Sequence, residues 1–178
     1  MRLEAMAVKF PHVDGHPNRV PFEGVLTVVN VASDKAPAGA RGHRVMLTRE
    51  AAQAALPSLL GMGVDYRPGW DGHDARCKIG VLTEADVVGQ RLLVRGFLYA
   101  RDFPEAARSI QAQAPEAMGM SYELADAHVA DMRSQVWTLT RATFTGATIL
   151  LREKAAYRST SFHVKRPAAA GRRVAVAR

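Results

Sequence analysis

Two strand-forming stretches, Lys78 to Asp86 and Arg91 to Ala100, meet around Val88-Gly89-Gln90, where there is room for a turn and nothing else. Such a pair is a β-hairpin, and a hairpin commits this part of the chain to antiparallel pairing. The segments around it reinforce that commitment. Phe22 to Val31 (FEGVLTVVNV) is rich in β-branched residues and apolar almost throughout, as a buried strand is. His43 to Leu47 predicts a short strand, and Met118 to Leu124 and Gln135 to Ala142 predict two more, antiparallel neighbours of each other. Helical signals are short. Thr48 can cap a helix over Ala51 to Leu60 that Pro57 kinks or ends, and Pro104 opens a second helix running to Ala114. Ile149 to Tyr157 predicts a third. The regular alternation of strand and helix that builds a parallel, doubly wound sheet is absent. The fold class expected is therefore α+β, with a β-centred core and a few helices at its margins.

Bulk properties set the outer limits. A chain of 178 residues, 48% hydrophobic and 23% charged, suits one compact domain with a real core. The organisation expected is an irregular lead-in over residues 1–21, a domain over 22–160, and a tail over 161–178. The lone Cys77 rules out an internal disulfide and fits a reducing compartment. Neither a signal peptide nor a membrane-length apolar run is visible, so a soluble protein without membrane partners is expected.

The net charge of +7 raises the question of nucleic acid. Lys165, Arg166, Arg172, Arg173 and Arg178 account for five of those charges, leaving +2 for residues 1–164. The excess sits in an Ala/Pro/Gly-rich tail that reads as disordered, without any groove-reading motif beside it, so specific nucleic-acid binding is not expected. No cofactor or metal is expected either, since His12, His16, His43, His73, His128 and His163 are scattered without ligand spacing.

Two residues stand out as candidates for chemistry. His73 lies at the end of a turn-rich loop, Asp65 to Gly72 (DYRPGWDG), immediately before a predicted strand. Ser121 lies in Met118-Gly119-Met120-Ser121-Tyr122-Glu123-Leu124. Strand periodicity puts Met118, Met120, Tyr122 and Leu124 on one face and Gly119, Ser121 and Glu123 on the other. The bare Gly119 is expected to leave space beside the hydroxyl for a substrate backbone. Serine needs a neighbouring base to become a nucleophile, and histidine is the usual one. Distance along the chain does not join the two, and each residue taken alone is also compatible with an ordinary loop histidine and an ordinary strand serine.

Taken in order, however, these segments resemble the prohead (capsid-maturation) serine proteases of tailed phages. That family shows His-Asp followed by Ile/Val-Gly at a strand start, a hairpin with a Gly-Leu-x-Val-x-Gly strand, a helix, and a Gly-x-Ser strand. Here these correspond to His73-Asp74, Ile79-Gly80, Leu93 to Gly96, Pro104 to Ala114, and Gly119 to Ser121, with TLTRATFTGATIL following from Thr138. The resemblance covers residues 22–157. It implies a β-barrel-like antiparallel core flanked by helices, similar to the herpesvirus maturational proteases (assemblins). It also implies Ser121 as nucleophile and His73 as general base, acting on scaffold and major capsid protein inside the immature head in the bacterial cytoplasm, with self-cleavage and with homo-oligomers as a further expectation. The basic tail would then serve to bind an acidic scaffold.

The chain departs from the family at one point. Where an acid is expected about twenty positions after the serine, it has Arg141. Glu123, about 6.6 Å along the strand from Ser121, and His128 are the substitutes for the third catalytic member. Asp126 and Asp131 lie near, and Asp74 adjoins the base and is geometrically the least suited. That position stays open between them, and so does the alternative that the chain is a catalytically silent relative with a structural role in head assembly.

Overall fold

A computed structural model describes residues 16, 18–114 and 116–165. The chain forms eight strands and two short α-helices: β1 (Arg19–Val28), β2 (Arg44–Leu47), α1 (Arg49–Ala55), β3 (Gly63–Asp65), β4 (Lys78–Val88), β5 (Arg91–Tyr99), α2 (Pro104–Ala112), β6 (Met118–Val129), β7 (Val136–Leu151) and β8 (Ser161–Val164). No helix among the described residues is long and apolar enough to cross a membrane.

The hairpin is β4–β5, turning at Gly89 in the left-handed region (φ 57°). Its second strand buries Leu92, Val94, Gly96 and Leu98 and turns the residues between them outward, the alternation of a strand with one face on the core. From β5 the sheet extends through β1 to β8 on one side, and from β4 through β3 to β7 on the other. β6 covers one edge of β7, while β2 and β3 share the other. Pairing is antiparallel except for β2 and β3, which run parallel to β7.

The sheet curls until β6 packs against β1 and β8, giving a half-barrel. Gly24 marks the closest approach. A Cβ there would stand 2.4 Å from the Ser161 carbonyl oxygen and 2.8 Å from the Met120 sulfur, so only glycine lets the two ends of the sheet meet. Phe22, Leu26, Leu82, Leu92, Val94, Met120 and Ile149 fill the interior, each contributing roughly 1.5–3 kcal/mol relative to exposure. Thr48 caps α1 by accepting the Ala51 N–H at 3.1 Å, and Pro57 stands in a 3-10 turn, Leu56–Leu59, that ends it.

The structure departs from the expected elements at four places. Ile149 to Tyr157 does not form a helix: Ile149 to Leu151 pair with Met118 to Met120 at the end of β7, and turns follow. A short apolar run buried on both faces carries no period that separates strand from helix. β3 was not expected, because three residues inside a turn-rich stretch become a strand only with β4 and β7 on either edge. β8 falls inside the stretch assigned to the tail, where Ser161 to Val164 pair with Val25 to Phe22. β1 likewise begins at Arg19, within the expected lead-in. Residues 1–15 and 166–178, which hold the rest of both segments, lie outside the described residues.

Candidate active site

The site is built on one rung of the sheet. Thr148 of β7 pairs with Ser121 of β6 on one side and with Asp65 of β3 on the other. Residues paired directly across neighbouring strands project from the same face. The buried Thr148 hydroxyl donates to the Asp65 carbonyl oxygen at 2.9 Å, with the Gly72 carbonyl oxygen 3.3 Å away. The loop that carries His73 therefore passes over Thr148.

That loop, residues 66–77, is pinned at several points. Trp70 is buried, donates its indole N–H to the Ser109 hydroxyl of α2 at 2.9 Å, and accepts the Leu151 N–H at 2.8 Å. Its φ of 58° is costly for a bulky side chain and is held by those contacts. Beyond the histidine, the Cys77 N–H donates to the Asp74 carbonyl, and the Asp74 N–H donates to Asp65 Oδ1 at 3.3 Å. Arg76 grips the partly exposed Asp74 carboxylate and holds its pKa below the usual range, so that carboxylate is engaged with Arg76 and not with the His73 ring that precedes it.

His73 and Ser121 line the same cleft, of about 830 Å³, together with Asp71, Gly72, Glu123, Thr145 and the loop Lys35 to Arg41. His73 Nδ1 lies 3.7 Å from Asp65 Oδ1 and 3.8 Å from Glu123 Oε1, and it is buried without a hydrogen-bond partner. Asp65 and Glu123 differ in setting: the first side chain is 1% exposed and the second 51%. Asp65 Oδ2 is paired with Lys78 Nζ at 2.9 Å. Glu123 lies over Gly146, where a Cβ would stand 2.7 Å from its Oε2. With both acids at Nδ1, the second ring nitrogen, Nε2, is the one left for a hydroxyl or a substrate.

Of the remaining candidates, His128 sits farther along β6, opposite Arg141, with Nδ1 3.2 Å from the Thr140 hydroxyl. It is exposed and does not line the cleft, although Ala127 and Val129 on either side do. Asp131 accepts the Arg133 N–H in the β6–β7 turn. Arg141 is itself exposed at that far end of the strand pair, so it does not occupy the place of a group that would orient His73. Gly119 is not bare space for a substrate. A Cβ there would meet Thr160 Oγ1 at 2.7 Å and Arg152 Cα at 3.1 Å, so the glycine serves the packing of β6 against the end of the chain. Asp65 was missed by sequence reasoning, hidden as the first residue of a turn-rich stretch. The available signal was an acid closing an apolar pair, Gly63-Val64, ahead of a glycine-flanked histidine.

The surroundings can support acyl transfer: a hydroxyl and an imidazole on one cleft, with carboxylates at the far nitrogen of the ring. No protein-family model matches the chain, and no curated protein sequence matches it. Among solved structures the chain is similar to the KSHV protease, determined in complex with a hexapeptide phosphonate inhibitor, with a TM-score of 0.52 and 12% sequence identity. The match covers 83% of this chain and 65% of that one, so the chain spans less than two thirds of its neighbour. At that identity the likeness is one of fold, and the fold of this chain is the herpesvirus-protease-like α+β half-barrel.

Proposed function

We propose that the chain is a serine endopeptidase of phage head maturation, cleaving scaffold and capsid-protein segments and then itself. The observation that carries this reading is the convergence of Ser121, from a strand, and His73, from a loop, on a single cleft. Ser121 Oγ attacks the scissile carbonyl carbon as His73 takes its proton. The imidazolium returns that proton to the departing amine, which leaves the acyl group on Ser121. Water attacks the acyl carbon, again giving a proton to His73, and the second collapse restores the serine hydroxyl and releases the new carboxylate.

The resemblance of His73-Asp74, Ile79-Gly80 and Gly119 to Ser121 to the prohead proteases supports the choice of substrate and of setting, the immature head in the host cytoplasm. Arg141, the departure that favoured a silent relative, stands apart from His73 and takes nothing from it. The test is to express the full chain and its Ser121→Ala variant with the cognate capsid protein and scaffold, and to follow chain masses over time. Shortening of either substrate or of the chain itself by wild type and not by the variant supports the reading. Intact chains in both would replace it with a structural role in head assembly.

A further inference from the structure

We propose that Asp65 is the positioning residue for His73, the group that fixes the imidazole tautomer and stabilises its charged form, and that neither Glu123 nor His128 does so. The proposal rests on the protease reading for its catalytic meaning and on geometry for its substance.

Asp65, Thr148 and Ser121 occupy one rung across β3, β7 and β6. The outer two backbones are therefore about 10 Å apart, twice the spacing of neighbouring strands. Their side chains project from the same face, and the loop carrying His73 crosses over Thr148 between them. That gap suits an imidazole hydrogen-bonded at both nitrogens, to a carboxylate on one side and a hydroxyl on the other. Glu123 is offset by two residues along β6, on the serine's own strand, and reaches Nδ1 from that side rather than from across β7.

Burial separates the two acids further. Asp65 is enclosed and held at both oxygens, Oδ2 by Lys78 and Oδ1 by the Asp74 N–H, while its backbone oxygen accepts from Thr148. No rotamer freedom remains to be lost when it binds the ring. Glu123 is half exposed, so water dilutes its attraction for the imidazole and its side chain gives up freedom to stay there. His73 Nδ1 is buried without a partner in the free protein, and Asp65 Oδ1 at 3.7 Å needs to approach by less than 1 Å to supply one. Catalytic hydrogen bonds are often long in the free enzyme and tighten when substrate binds.

The experiment uses the full chain with Asp65→Asn and Glu123→Gln, read by kcat and KM on a capsid-protein substrate. Asp65→Asn lowers kcat by about 10³–10⁴-fold, as loss of an orienting carboxylate does elsewhere, with KM little changed. Glu123→Gln lowers kcat far less. A second readout needs neither turnover nor a folded Asp65 variant: the low-field Nδ1–H proton resonance of His73 in the Ser121→Ala background with the capsid-protein substrate bound, the state in which the bond tightens. Its survival on adding Glu123→Gln supports Asp65 as partner, and its loss overturns the proposal, as does a Glu123→Gln defect equal to that of Asp65→Asn. If wild type cleaves nothing, the protease reading fails by itself, and the proton resonance still decides which carboxylate holds the ring.

Discussion

Replacing Thr148 with valine keeps the shape of the side chain and deletes the one hydroxyl that ties the β6–β7–β3 rung to the histidine loop. The hydroxyl donates to the Asp65 carbonyl at 2.9 Å, between two fully buried residues, and lies 3.3 Å from the partly buried Gly72 carbonyl. Losing it removes a hydrogen bond and sets a methyl against carbonyl oxygens, which costs about 1–3 kcal/mol. For a chain of this length that lowers Tm by roughly 2–12 °C. Thr148→Ser is the control. It keeps the hydroxyl and deletes a buried methyl, at a cost of about 1 kcal/mol. The two variants are thus expected to overlap in stability and to part in activity. Valine frees the backbone on both sides of the loop and slows cleavage at temperatures far below its own Tm, whereas serine cleaves like wild type. Thermal unfolding by circular dichroism and the chain-mass time course read both quantities on the same samples. Equal activity of the two variants at matched folded fraction would refute the role assigned to the hydroxyl.

Two further outcomes follow from packing and from burial. Gly119→Ala places a methyl against Thr160 and the Arg152 backbone and destabilises by about 1–3 kcal/mol; an unchanged Tm would contradict the close approach of β6 to the chain end. Burial pushes the phenols of Tyr157 and Tyr122 above the ordinary tyrosine range. Stability from this source is therefore complete below the unfolded value of about 10 and is lost as pH rises beyond it. Alkaline unfolding followed by tyrosinate absorbance is expected to be cooperative in wild type. Its slope with pH should be shallower in Tyr157→Phe, which also gives up the bond to the Val45 carbonyl; equal slopes would argue against burial as the cause.

What the sequence reveals here is what is encoded locally. The β4–β5 hairpin is legible because Gly89 supplies the turn and the flanking residues supply the strands. The cap at Thr48 and the stop near Pro57 are legible because each acts within a single turn of helix. β3 and β8 are not, since Gly63 to Asp65 and Ser161 to Val164 become strands only through partners far along the chain. The same division runs through the site. His73, beside Gly72, and Ser121, two residues after Gly119, stand out as candidates by residue type and by the order of the segments around them. Asp65 looks like the opening of a turn, and only its pairing with Thr148 sets it on the rung of Ser121. Register irregularities between Ala125 and Val129 likewise break the alternation that groups Gly119, Ser121 and Glu123, so strand parity does not extend to His128.

His73 is the one member of the proposed machinery that is not on a strand, and loops are poor places to hold a base within a fraction of an ångström. The chain compensates by fastening residues 66–77 to three separate elements. Trp70 spans to Ser109 of α2 and accepts from Leu151 at the end of β7. Asp74 is tied back to the end of β3 through Asp65, and Tyr66 and Cys77 close the base of the loop where β4 begins. The fastening at Trp70 is strong enough to hold a bulky residue at positive φ, a conformation that persists only where its surroundings over-determine it. The position of the base is therefore a property of α2, β3 and β7 together. Under the protease reading, substitutions at Ser109 or Trp70, remote from any bond that is made or broken, would reach the chemistry through the placement of the imidazole in the cleft that Ser121 shares.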